Sequence, residues 1–257
     1  MGDWLYHLPV VWMAAVIFAA TGVVTVGVYK AVMLFAGTRR ANALRAMSPA
    51  MLTPLAMLFG LIVAFLSVQV WNDAQRADIA VTREASALRR VVLLAAAFPA
   101  ETEARVRELV RRHIEDAVRK EWPAMARQQA TLSTIAGAVS ESLSVAMSVR
   151  PQTDVQTLAQ REMLAALQSA QEARRERIII SRSSINWVKW CVVILLAVLI
   201  LTTIAIVHID NRGTAAVAMS IFATGVAACL LLIASHNRPF TGEISVGPHA
   251  LLQVVPQ

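Results

Sequence analysis

Residues 54–90 read PLAMLFGLIVAFLSVQVWNDAQRADIAVTREASALRR, in which an apolar stretch passes into a charged one with no Gly or Pro at the junction. About 20 apolar residues are enough for a helix to cross the hydrocarbon core of a bilayer. Because no strong helix breaker stands near Trp71 and Asn72, the sequence predicts one continuous helix that leads from the membrane into water.

The composition is that of a polytopic membrane protein. Hydrophobic residues make up 57% of the 257 residues, and the mean hydropathy is +0.57. Four mostly uncharged stretches are long enough to span a bilayer, at about residues 8–29, 51–70, 185–207 and 213–235. We therefore predict an all-α membrane protein with four transmembrane helices in each chain.

A polar insert, about residues 72–183, separates the second and third predicted spans. Pro99, Pro123 and Pro151 divide it into helical lengths. One of these segments has its apolar positions at the spacing of an amphipathic helix, namely Val106, Leu109, Val110, His113, Ile114 and Ala117. The insert is predicted to be a helical bundle.

The insert is expected to join the spans through helices at both of its ends. Thr153 is followed three residues later by Gln156, which is the form of a capping box at the start of a helix. That helix is predicted to run toward Arg177 and the third span. We accordingly predict that residues 1–257 form a single domain.

Two stripes of residues follow the second span at four-residue spacing. Small side chains, which allow close helix packing, form the first stripe at Ala56, Gly60 and Ala64. Larger side chains form the second stripe at Thr53, Met57 and Leu61. If copies of this helix surround an axis, the small stripe can seat the neighbours while the second stripe forms a hydrophobic constriction. The alternative is that Met57 and Leu61 face lipid or other helices.

Polar residues follow the apolar part of the same helix, at Asn72, Asp73, Arg76, Arg83 and Glu84. Rings of such residues at a pore exit can set ion preference in an oligomer. The alternative is that they form ion pairs along the surface of the helix and have a structural role.

The sequence gives little support to other functions. The spans contain no deep Asp, Glu or Arg, which disfavours an ion-coupled transporter. No phosphate-binding loop, nucleophile motif or metal-ligand cluster is present, so we predict no enzyme activity, no cofactor and no metal site. The net charge of +7 lies mostly beside the spans or among acidic residues, so we predict no nucleic-acid binding.

The run from Pro54 through Gly60 to Trp71 and Asn72 resembles the second membrane helix of the bestrophins, with the same spacing and no gap. The residues after Asn72 and the C-terminal stretch HNRPFTGEI, which starts at His236, are similar to the bestrophin-like family of bacterial and plant membrane proteins. The similarity covers nearly the whole chain in layout and about fifty residues in motif.

The resemblance implies a homopentamer whose second helices line a central pore and continue into a helical vestibule. In bestrophins three apolar side chains around the matched Pro and Gly form the neck, and by position these fall on Thr53, Met57 and Leu61. Thr53 departs from that pattern because it is polar.

The C-terminal stretch holds the candidate motif residues His236, Asn237, Arg238, Pro239, Phe240 and Glu243. We interpret its start as a helix C-cap and a dock for the tail, with ion contact as the second possibility. Animal bestrophins bind calcium with an acidic run at this place. Glu243 stands alone here, so we predict no calcium site.

Basic residues near the span ends favour a cytoplasmic insert and cytoplasmic termini, although Lys30, Arg39, Arg40 and Arg45 lie on the opposite side. We predict a passive ion channel in the bacterial inner membrane, whose partners are other copies of the chain, the lipid bilayer and permeant small ions. The alternative is a non-conducting scaffold or regulator that binds a partner through its helical cytoplasmic domain.

Overall fold

The computed structural model describes residues 3–36, 48–132 and 137–256, and all regular secondary structure within them is helical. Four helices are long and apolar enough to cross a membrane. The predicted all-α membrane fold is therefore confirmed. Arg39, Arg40 and Arg45, which entered the prediction of orientation, lie outside the described residues.

Nine α-helices occur among the described residues. In chain order they are α1 (Val10–Ala36), α2 (Leu52–Ala95), α3 (Ala100–Asp116), α4 (Trp122–Ala126), α5 (Gly137–Ser148), α6 (Asp154–Ser181), α7 (Trp187–Val207), α8 (Arg212–His236) and α9 (His249–Leu252). Short 3-10 helices cover Asp3–His7 and Pro49–Met51, and a π-helix covers Ala117–Glu121.

Backbone contacts divide the chain into two compact units. The first unit contains Met1–Trp71 and Ser184–Asn237, and the second contains Asn72–Ser183 and Arg238–Gln257. The boundaries of the second unit near residues 72 and 183 coincide with the predicted insert. That the whole chain forms a single domain stays a prediction.

The first unit holds the membrane-length helices. Helices α1, α7 and α8 pack on one another, and side chains such as Val193, Met219 and Ile233 are buried among them. The side-chain oxygen of Asn186 accepts a hydrogen bond from Val188 N (3.3 Å) and thereby caps the start of α7. Asn211 caps α8 in the same way.

Helix α2 is one unbroken helix of 44 residues, as the sequence predicts. A single stripe of its residues is buried along its whole length, at Phe59, Leu66, Val70, Ala77, Val81, Glu84, Leu88, Val91 and Ala95. These positions alternate between steps of three, four and seven residues, so they stay on one face of a 3.6-residue helix. The opposite face of α2 is left uncovered by the residues that the structure describes.

The second unit is a bundle of amphipathic helices. The predicted apolar face of α3 is confirmed, because Val106, Leu109 and Ile114 are buried. The hydroxyl of Thr153 accepts a hydrogen bond from Gln156 N (3.2 Å), which confirms the predicted start of α6. The side chain of Gln156 in turn reaches the backbone N–H of Gln152.

A π-helix joins α3 to α4 at Ala117–Glu121. Trp122 N donates to the carbonyl of Ala117, five residues earlier, and Pro123 follows directly. A proline has no N–H to give and its ring crowds the carbonyl four residues back, so a wider turn relieves the clash. The wider turn changes the direction of Glu121 and Trp122.

Candidate functional site

The candidate neck lies on the uncovered face of α2. Met57 and Leu61 are 69% and 51% exposed, and Thr53 is also exposed. No residue in the described ranges covers these three successive turns of α2, so other molecules can contact them. Lipid and further copies of the chain are the two possibilities that a membrane offers.

The predicted packing stripe lies beside the neck and is equally uncovered. Ala56, Gly60 and Ala64 are exposed, and a Cβ added at Gly60 would meet no atom within 4 Å. No helix among the described residues of this chain uses these small side chains. Their role as a seat for the helices of other copies stays a prediction.

The exposed stripe changes character along α2. Apolar side chains give way to Gln75, Thr82, Ser86 and Arg89, which lie on the same helical face in the second unit and are exposed. One face of a single helix is thus mostly apolar over its first half and mostly polar over its second half, where Ile79 and Leu93 are also exposed.

The polar residues after the apolar part of α2 separate into two groups. Asn72 is exposed, while Arg76 and Arg83 each lie 3.8 Å from a carboxylate oxygen of Glu176. Glu84 is different, because it is fully buried. Asp73 is half-buried and has an interaction within the chain.

Glu84 belongs to a buried ionic network in the second unit. Its Oε2 accepts a hydrogen bond from Arg177 Nε at 2.8 Å, and its Oε1 lies 2.9 Å from His113 Nε2. Arg177 and His113 are also buried. The carboxylate therefore ties α2 to α3 and α6 through charge-assisted hydrogen bonds.

The π-helix contributes the second carboxylate of the network. Arg177 Nη2 donates to Glu121 Oε2 at 2.9 Å, and Arg174 Nε donates to Glu121 Oε1 at 2.8 Å. The Arg177 guanidinium also lies 4.5 Å from the ring centre of Trp122, which is cation–π distance. Two carboxylates thus balance two guanidinium groups.

The charges of the network set its protonation. Burial acts to raise the pKa of the Glu84 carboxyl, but Arg177 and His113 outweigh burial and lower the pKa to about 2. Burial acts to lower the pKa of Arg177, yet Glu84 and Glu121 raise it above its usual value. Both partners are therefore ionised near neutral pH, and the network is an internal brace between helices.

Sequence reasoning left Glu84 open between a pore exit and a structural role in ion pairs, and it did not identify this network. One signal was present: Glu84 occurs in step with Val81 and Leu88, and His113 occurs in step with Val110 and Ala117. A polar side chain on the apolar face of an amphipathic helix is buried, and a buried polar group needs a hydrogen-bond or ion-pair partner. Which partner it finds depends on how the helices pack.

In the first unit, the C-terminal motif begins with a hydrogen-bonded junction. Asn237 is buried and ends α8; its Oδ1 accepts from Ile185 N (2.8 Å), and its Nδ2 donates to the Tyr6 hydroxyl (3.0 Å). Asn237 therefore joins the end of α8 to the start of α7 and to the N-terminal 3-10 helix. The His236 ring lies 6.3 Å from the ring of Trp71.

In the second unit, the rest of the motif packs on Trp122. The rings of Phe240 and Trp122 meet edge to face at 5.9 Å, and Trp122 Nε1 donates to the Val246 carbonyl at 3.1 Å. The Thr241 hydroxyl donates to the Ala126 carbonyl at 2.7 Å. Pro239 is buried, Arg238 is half-buried and Glu243 is exposed. The tail is thus docked by apolar contact and by hydrogen bonds.

The His, Cys, Asp and Glu side chains of the described ranges are scattered. No group of three or more His, Cys, Asp or Glu side chains is placed to hold a metal ion there. The arrangement can instead do two things: it can brace a helical bundle, and it can present the uncovered face of α2 to other molecules.

Comparisons with known proteins agree with this architecture. A family model described as a Bestrophin-like domain matches residues 16–251. The fold is similar to the crystal structure of a point mutant of a bacterial bestrophin homologue from Klebsiella pneumoniae, with a TM-score of 0.71 and 10% sequence identity, over 94% of this chain and 97% of the other. A comparison with curated proteins gives no match.

Proposed function

The chain belongs to the bestrophin-like family, and on that premise we propose that it is a passive ion channel whose pore is lined by α2. The observation that carries the proposal is the uncovered face of α2. This face is mostly apolar in the membrane-length part of the helix, and it is mostly polar where the helix continues into the second unit, with Ile79 and Leu93 as exposed apolar exceptions.

The proposed assembly is a ring of identical chains, a homopentamer, with the uncovered face of each α2 turned to the central axis. The small side chains of Ala56, Gly60 and Ala64 would then let neighbouring copies approach closely. The ring lies in the lipid bilayer, and we propose the bacterial inner membrane with the insert and both termini in the cytoplasm. Small ions are proposed to pass through the pore.

The proposed neck consists of Thr53, Met57 and Leu61. Rings of Met and Leu side chains form a hydrophobic constriction, which controls ion passage by how readily water enters it. Thr53 adds a ring of hydroxyl groups at one end of the neck. Beyond the neck, Gln75, Thr82 and Ser86 provide a polar lining that keeps water in the path.

The sharpest test uses two leucines of α2 that are almost equally exposed. Leu61 is 51% exposed and belongs to the neck, whereas Leu58 is 50% exposed and lies roughly 100° from Met57 around the helix. We expect Leu61→Ala to raise ion flux into liposomes severalfold, because it widens the constriction. Leu58→Ala should leave the flux unchanged.

Equal fluxes from both variants would mean that Leu61 faces lipid, and the assignment of the neck would be abandoned. Flat traces for the unmodified chain and for Leu61→Ala, with every ion tried, would contradict conduction itself. The non-conducting scaffold that binds a partner through its helical unit would then be the better account. Placing a charge at Met57 provides a second change at the neck, and its effect should again exceed that of a charge at Leu58.

A further inference from the structure

The second unit has a polar cleft between α2 and α6, and two of its residues, Thr82 and Ser86, also lie on the face of α2 that we propose lines the pore. Its volume is about 240 Å³. Two buried alanines and five polar side chains line it, the latter being Thr82, Arg83, Ser86, Arg90 and Ser169. At about 30 Å³ for each water molecule, the cleft has room for roughly eight waters or for a small polyatomic ion.

The arginines beside the cleft are only partly neutralised. Arg76, Arg83 and Arg90 follow one flank of α2 at seven-residue intervals. Arg76 and Arg83 share the single carboxylate of Glu176 at 3.8 Å each, and Arg90 makes no ion pair with any residue that the structure describes. The cleft therefore carries an excess of positive charge.

The hydroxyls in the cleft are also available. Elsewhere the hydroxyls of Thr21, Ser67 and Thr224 donate to the carbonyl four residues earlier in their own helix, which is the usual arrangement in helices. Within the described ranges, the three hydroxyls of the cleft make no hydrogen bond to the protein. Three donors and two guanidinium groups thus share one small space.

We propose that this cleft binds an oxyanion of the phosphate class, held by Arg83 and Arg90 and by the three hydroxyls. A guanidinium group donates two parallel hydrogen bonds, and these match two oxygens of one anion, a geometry that a halide ion cannot use. The two guanidinium groups alone would attract any anion. The three hydroxyls add hydrogen-bond donors that the oxygens of a phosphate-like ion can accept. The site does not require that the protein conducts ions.

The anion is a soluble one and not the headgroup of a membrane lipid. A helix rises about 1.5 Å per residue, so the 12 residues from Val70 to Thr82 span roughly 18 Å and those from Val70 to Arg90 span roughly 30 Å. Val70 is the last residue of the apolar part of α2. The phosphate of a lipid lies in the interfacial region, which extends only about 5–8 Å beyond the hydrocarbon core. The cleft is farther from the core than that.

The test measures binding of inorganic phosphate to the full chain in nanodiscs made of neutral lipid, by equilibrium dialysis with radiolabelled phosphate at constant ionic strength. We expect saturable binding, and we expect Arg90→Gln to weaken it about tenfold, because the anion loses a charged hydrogen-bond donor. Ser169→Ala should weaken it severalfold. Arg150→Gln, which removes an exposed charge outside the cleft, is the matched control.

Three results would overturn the proposal: no saturable binding of phosphate, equal weakening by Arg90→Gln and Arg150→Gln, or displacement of phosphate by equimolar chloride. Addition of phosphatidic acid to the nanodisc separates the two sources of phosphate. Unchanged binding supports the soluble anion, whereas loss of phosphate binding would contradict it and assign the cleft to a lipid headgroup. Unchanged thermal unfolding of Arg90→Gln shows that the variant is folded.

Discussion

The two units of this chain satisfy their polar groups in opposite ways. In the first unit most side-chain hydrogen bonds stay within one helix, as when Thr202 and Thr203 donate to carbonyls four residues earlier. In the second unit more of them cross between elements, as in the bonds of Arg177 to Glu84 and of Gln160 to the Ala146 carbonyl, although Ser142 still donates within its own helix.

The difference follows from the solvent of each unit. A helix in lipid must satisfy its polar groups within itself, and packing of apolar side chains then holds the helices together. The helices of the second unit are shorter and are interrupted at Pro99, Pro123 and Pro151, and they carry many charges. Hydrogen bonds and ion pairs between these helices determine how they pack. Apolar contacts alone would make the packing less specific.

The largest expected effect comes from the centre of the second unit. Glu84→Gln should lower the free energy of unfolding by about 3 kcal/mol, because it leaves Arg177 buried with one carboxylate lost. Glu176→Gln makes the same chemical change at an exposed pair and should cost under about 1 kcal/mol. Chemical unfolding in detergent micelles measures both. Similar losses for the two variants would contradict a buried brace.

The pH dependence of stability provides an independent measure of the same network. The pKa of Glu84 is lowered from 4.5 to about 2 on folding, so its contribution is complete above pH 4.5 and is lost as the pH falls toward 2. The difference in thermal midpoint between the unmodified chain and Glu84→Gln should therefore be constant above pH 4.5 and shrink below it. A difference that stays constant down to pH 2 would exclude an ionised Glu84 as its source.

Asn237 is one of the exceptions in the first unit, since it joins three segments by hydrogen bonds; the bond from Lys189 Nζ to Gln69 Oε1 is another. Asn237→Ala should lower the free energy of unfolding by about 2 kcal/mol, because Ile185 N and the Tyr6 hydroxyl lose a buried partner. Asn72→Ala, at an exposed position of α2, should change it by under about 0.5 kcal/mol. If both variants are equally stable in a denaturant titration, this junction does not hold the first unit together.

The smallest effects come from removing a single hydroxyl hydrogen bond in each unit. Thr241→Val removes a hydrogen bond between elements of the second unit and should cost about 1 kcal/mol. Ser67→Ala removes a bond within α2 in the first unit and should cost close to nothing, because the Val63 carbonyl keeps its helical partner. Thermal unfolding of the two variants side by side would refute the contrast if Ser67→Ala were the more damaging change.

Most of the fold follows from short-range patterns in the sequence. The four spans, the unbroken α2, the apolar face of α3 and the start of α6 each depend on residues within one helix. Hydropathy, helical spacing and a capping residue are local signals, so one sequence is enough to read them. The family resemblance also depends on local runs such as those at Pro54 and His236.

The ionic network could not be predicted in the same way. Glu84 and Arg177 are 93 residues apart, and their contact depends on the packing of α2 and α6. The direction of Glu121 depends further on the π-helix, for which Pro123 is the sole local hint. The neck residues are a different case, since no described residue covers Met57 and Leu61 and their role in a pore stays a prediction.

The π-helix also has a consequence for the tolerance of this region to insertions and deletions. A π-turn holds one more residue than the α-helix around it. Deleting Val118 would convert this π-turn into an α-turn and leave Glu121 and Trp122 facing nearly the same way, so Arg177 would keep its second carboxylate and its aromatic neighbour. Deleting Arg112, in the regular part of α3, would instead swing both side chains by roughly 100° relative to the start of that helix. A relative with one residue fewer between His113 and Trp122 can therefore still dock its tail on the tryptophan.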